Sequence, residues 1–131
     1  MSFELDAEGL KKIGLLWQLL MNESITENSV LLWDEPEANL NPNFIPQPVD
    51  ILLILSRNGV QICVSTHSYI FAKYVEIKSM DTDDVLFHSL YKDNDLVYCE
   101  SNETFKDLTH NSIMSSFAQL MDDVYDAQVK S

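Results

Sequence analysis

The sequence predicts an α/β fold: a partial parallel sheet flanked by helices, followed by a C-terminal antiparallel hairpin and helix. Three observations carry this. "SVLLW" (29–33) and "VQICVST" (60–66) are short, continuously apolar runs, the pattern of strands covered on both faces inside a parallel sheet. Between them lies "VDILLILSRNG" (49–59), of helical length and closed by Arg57, Asn58 and Gly59. Strand, helix, strand over this span makes a right-handed βαβ unit the economical topology. Residues 85–101 instead alternate around "KDND", as an antiparallel hairpin does.

Taken in order, residues 7–22 place Leu10, Ile13, Leu16, Trp17, Leu20 and Met21 on one helical side, with Asp6 as the expected N-cap. "NESITEN" breaks that pattern before the first strand, and "PNFIPQP" punctuates the chain after it. The second strand ends at His67, and "SYIFAKYVEI" continues as a helix. The hairpin is "VLFHSLY", turn, "LVYCES". Ile113, Phe117, Leu120, Met121 and Val124 then form one stripe of a terminal helix and read as core, as do Trp17 and Trp33.

At 131 residues the chain has room for one domain, 1–131, with residues 1–80 carrying the βαβ unit and 81–131 the hairpin and last helix. Eight basic residues against 21 acidic ones, with Arg57 the single arginine, exclude the clustered cations that grip a phosphate backbone. Direct nucleic-acid binding by this piece is not expected. Cys63 and Cys99 are too few for a disulfide framework and read as buried free thiols in a reducing compartment. Neither a leader segment nor an apolar run of membrane-spanning length is seen, so the expected location is cytoplasmic.

In open parallel sheets, ligands bind beyond the carboxyl ends of the strands. The first strand delivers Asp34 and Glu35 to that edge, and the second delivers Ser65, Thr66 and His67. An apolar strand followed by Asp-Glu is the pattern of a Walker B element. Its aspartate faces hydrated Mg²⁺, and the glutamate after it polarises a water for attack on a γ-phosphate. A histidine on the adjacent strand can donate to that phosphate.

Read together, "DEPEANLNP" (34–42) and "ICVSTHS" (62–68) make the chain resemble the C-terminal part of an ABC-type ATPase domain of the RecF/SMC-like kind. More specifically it resembles the AAA-class ATPases of abortive-infection and overcoming-lysogeny-defect systems, over residues 3–80. The resemblance implies a P-loop-NTPase-like sheet, with ATP and Mg²⁺ as cofactors. It assigns Asp34 to Mg²⁺, Glu35 to the catalytic base and His67 to the γ-phosphate. Ala38, Asn39, Leu40, Asn41 and Pro42 match the family's D-loop and would face a second copy. Ala7, Glu8 and Gly9 occupy the place of the signature segment, which in a homodimer offers helix N–H groups to the opposing nucleotide. Gly9 fits that pattern, and Ala7 stands where a serine is expected. Family members act in DNA repair, phage defence and nuclease regulation, so a nuclease or toxin partner is a further expectation.

The 131 residues contain no G-x-x-x-x-G-K-[ST], the loop whose N–H groups and lysine hold the β- and γ-phosphates. The chain therefore reads as the second lobe of an ATPase, as a cloned fragment, a truncated frame or a split subunit, and inactive alone. Two other readings are a metal-dependent hydrolase using Asp34, Glu35 and His67 without nucleotide, and a non-catalytic dimerisation or adaptor module. The first is short of donors at ligand spacing. The second predicts self-association insensitive to Glu35→Gln.

Overall fold

The computed structural model describes residues 7–130, which run α1 (Ala7–Met21), β1 (Val30–Asp34), α2 (Pro46–Arg57), β2 (Gln61–Ser65), α3 (Tyr69–Lys78), β3 (Phe87–Asp93), β4 (Leu96–Asn102) and α4 (Ser112–Val129). Short 3₁₀ turns lie at Pro42–Phe44 and Phe105–Asp107. The fold is the expected α/β arrangement. β1 and β2 form a parallel pair, and β3 and β4 an antiparallel one ahead of α4. The chain divides into two compact units, the first ending at Asp83 and the second beginning at Asp84. The expected Asp6 cap, and the side chains of Leu10, Ile13 and Leu20, lie outside the described residues.

In the first unit α2 begins three residues earlier than the apolar pattern suggests, at Pro46. Proline already holds a helical φ and lacks an N–H that the first turn could not use, so Pro46 and Pro48 start the helix rather than delay it. α2 then buries Pro48, Val49, Leu52, Leu53 and Leu55, and packs on α3 and β2. Its end is closed by Gly59 at φ 90°, where an added Cβ would meet the Glu27 side chain at 2.7 Å. Arg57, in its last turn, reaches the Asp83 carboxylate at 2.8 Å and fixes the segment that follows α3. That contact, with the Met80 N–H, lowers the Asp83 carboxyl to about 2.

The sheet departs from expectation in one respect. Both strands alternate: Leu31, Trp33, Ile62 and Val64 are half-buried, whereas Val30, Leu32, Gln61, Cys63 and Ser65 are exposed. The strands are covered on one side only. Continuous apolarity marks a strand as fit for burial on both faces, but each face also needs a layer to pack against it. Cys63 is accordingly an exposed free thiol instead of a buried one. Trp17 is also outside the core, at 64 % exposure, while Leu16 beside it is buried.

The second unit is built on a two-residue hairpin turn, Asn94-Asp95, both with positive φ, which suits the twist of a tight hairpin. One face carries Phe87 against Phe105, with ring centroids 5.7 Å apart, and Tyr91 stacked on His110 at 3.7 Å. Glu100 pins the loop ahead of α4: its carboxylate accepts the Thr109 N–H at 2.5 Å, the His110 N–H at 2.9 Å and the His110 Nδ1 at 2.8 Å. Those contacts hold its pKa at about 2. Buried Asn111 caps α4 by accepting the Met114 N–H. The opposite face leaves His88, Leu90, Val97 and Cys99 exposed, so the second thiol is also free and uncovered. α4 buries no residue, and Phe117, Leu120, Met121 and Val124 are exposed. Of the stripe expected to be core, only Ile113 is half-buried and the other four residues are surface. Helical periodicity marks an apolar stripe but not what covers it.

Candidate functional site

The site is the carboxyl edge of the β1–β2 pair. Register places Asp34 directly opposite Ser65, and the Ser65 hydroxyl donates to the Asp34 carboxylate. Immediately after Asp34 the chain turns out of the sheet. Glu35 takes φ 49° while its N–H still donates to the Ser65 carbonyl at 2.8 Å. A left-handed conformation in a non-glycine residue costs about 1 kcal/mol or more. Here it swings the Glu35 side chain beyond the strand tips.

Two linked turns follow, in which Ala38 N–H donates to the Glu35 carbonyl at 3.0 Å and Leu40 N–H to the Glu37 carbonyl at 3.1 Å. Asn39 adopts φ 64°, and fully buried Pro36 anchors the segment. The five expected D-loop residues thus emerge directly from the site. Asn39, Asn41 and Pro42 are exposed, and Ala38 and Leu40 are partly covered. Asn41 caps the following 3₁₀ turn by accepting the Asn43 N–H at 3.0 Å.

From the β2 side, the Thr66 hydroxyl donates to Glu37 Oε1 at 2.5 Å and accepts the Ser68 N–H at 3.0 Å. Ser68 in turn caps α3, its side chain accepting the Phe71 N–H at 3.1 Å. His67 stands between these two fixed residues. Its Nε2 lies 3.6 Å from Glu35 Oε1, with the imidazole 90 % exposed. At that exposure the pair contributes little to stability; its value is that both groups are presented together.

The structure therefore brings Asp34, Glu35, Glu37, Ser65, Thr66 and His67 to one edge. Ala7, Glu8 and Gly9 open α1, and their side chains lie outside the described residues. The sequence alone assigns no task to Glu37 or Thr66. The usable signal was "THS" ahead of a helix, since serine or threonine just before a helix start is a capping pattern.

The donor set fits one kind of ion. Among the described residues no three His, Cys, Asp or Glu side chains converge on a metal-holding position. A closed four-ligand cage is not what this edge offers. A carboxylate and a hydroxyl side by side at an exposed strand tip are hard oxygen donors. They suit Mg²⁺, which takes one or two carboxylates and completes its shell with water and phosphate.

Residues 2–72 match the family described as "AAA domain, putative AbiEii toxin, Type IV TA system". No curated protein matches the chain. The match covers more than half of the sequence and includes both strand tips with the turns between them. This chain belongs to that family of AAA domains and carries an ATPase-like domain.

Proposed function

We propose that the chain supplies the metal-and-water half of an ATP-hydrolysing site, the C-terminal lobe of an ABC-type, RecF/SMC-like domain. The observation that supports this most is the in-register juxtaposition of Asp34 with Ser65, with Glu35 and His67 facing each other just beyond. Asp34, assisted by the Ser65 hydroxyl, would hold Mg²⁺, which supplies charge neutralisation at the phosphates. Glu35 takes the proton of the attacking water. His67, on the exposed side of the same edge, donates to the γ-phosphate oxygens. The phosphates themselves must be gripped by a P-loop-bearing segment, a sequence these 131 residues do not contain.

The D-loop residues 38–42 and the start of α1 at Ala7, Glu8 and Gly9 are the faces through which a second copy would complete the site. The exposure of Asn39, Asn41 and Pro42 beside the strand tips favours that role for the D-loop. Residues 84–131, with their uncovered hairpin face and the apolar stripe of α4, are the place for a nuclease or toxin partner. Nucleic acid is an unsuitable direct ligand, because the one guanidinium, Arg57, is engaged by Asp83. No helix among the described residues is long and apolar enough to cross a membrane.

Calorimetry tests the dependence on a P-loop. The chain as given is expected to bind Mg-ATP no tighter than millimolar and to show no turnover. Micromolar affinity that disappears in Asp34→Asn would overturn this.

A second reading, a non-catalytic adaptor derived from such a domain, draws on Ala7 in the serine's place and on the formal charge of −13. It predicts self-association that Glu35→Gln leaves unchanged and no hydrolysis in any reconstituted form.

A further inference from the structure

We infer that Glu37 is a positioning residue that ties the D-loop turn to the His67 loop through Thr66; this rests on the roles proposed above for those two segments. Glu37 is joined to both sides. Its carbonyl accepts the Leu40 N–H at 3.1 Å, which shapes the D-loop, and its Oε1 accepts the Thr66 hydroxyl at 2.5 Å. Thr66 then passes the constraint on by accepting the Ser68 N–H at 3.0 Å. Ser68 caps α3 through the Phe71 N–H, so His67 lies between two residues that are hydrogen-bonded to each other and tied to the helix start.

Three further facts make Glu37 a built contact rather than an incidental one. Pro36, immediately before it, is fully buried and fixes the direction in which Glu37 leaves the chain. The Oε2 atom of Glu37 is buried without a hydrogen-bond partner, which is costly for a carboxylate and opposes leaving the side chain in place for stability alone. Finally, the contact spans 29 residues and joins two different strand tips, so it cannot be a local turn interaction. A carboxylate–hydroxyl bond is stronger and shorter than a neutral one, which suits it to transmitting a shift of one loop to the other. A second copy that moves residues 38–42 would thereby reorient His67 without touching it.

The test needs no nucleotide. Backbone amide spectra and hydrogen exchange of the free chain are compared for the parent, Thr66→Val, Glu37→Gln and Glu37→Ala. Thr66→Val and Glu37→Ala are each expected to speed exchange of the Ser68 amide by about tenfold, the scale of one lost hydrogen bond. Both should also shift the Asn39 and Leu40 resonances, leaving the Val49 and Leu52 amides unchanged. Glu37→Gln keeps an acceptor oxygen and should restore the parent pattern at Ser68. The double variant Glu37→Ala/Thr66→Val should be no worse than either single one. Changes confined to the substituted loop, or additive effects in the double variant, overturn the inference. Thr66→Val is nearly isosteric and keeps the test decisive if Glu37→Ala does not fold. A chain that shows this coupling yet never supports ATP hydrolysis would sink the proposed function alone; hydrolysis without coupling would sink the Glu37–Thr66 role alone.

Discussion

Glu35 is held in a backbone conformation that its residue type disfavours. Its φ of 49° would suit glycine better than glutamate. Glu35→Gly is therefore expected to leave the free energy of urea unfolding within about 1 kcal/mol of the parent, on the stable side if it moves. A loss well beyond that would show that the side chain holds the turn. Asp34, Glu35 and His67 could be picked out in the sequence because their spacing follows strand tips. The Thr66–Glu37 bond could not, because no periodicity relates two loops 29 residues apart. Asp83 was equally hidden: only the folded chain shows that it meets Arg57. Its carboxyl falls from 3.8 to about 2, so the ionised form is favoured by folding. The resulting stabilisation is fully present above pH 3.8 and is lost as pH falls through about 2. Melting temperature followed across that interval should drop more steeply for the parent than for Asp83→Asn. Equal slopes would contradict the assignment.

At the scale of elements, the strands, helices and hairpin followed from apolar runs, alternation and turn residues, and the eight regular elements among the described residues lie within about three residues of those signals. What the pattern could not say was which apolar faces find a partner. The β1–β2 sheet and α4 are both patterned for burial, yet Leu32 is 74 % and Leu120 55 % exposed, whereas Leu52 on α2 is 6 % exposed. A stripe records that a residue type suits an interior; the neighbour that makes it interior belongs to the tertiary structure. The two leucines should consequently behave differently. Leu52→Ala is expected to cost about 2–5 kcal/mol in chemical unfolding, as for a fully packed core leucine, and Leu120→Ala less than about 1 kcal/mol. Comparable losses at both positions would mean that α4 is packed in solution.

For the whole molecule, the fold and family agree on an ATPase-like domain whose strand tips, turns and capped helix serve one edge. The most direct measurement is ATP hydrolysis by this chain joined to a P-loop-bearing segment of its family, compared with the same assembly carrying Glu35→Gln. Turnover is expected in the first, reduced about 10²–10⁴-fold in the second with nucleotide binding retained, the usual range for loss of a general base. Equal turnover in both, or none in an assembly that binds Mg-ATP, would contradict the proposed function.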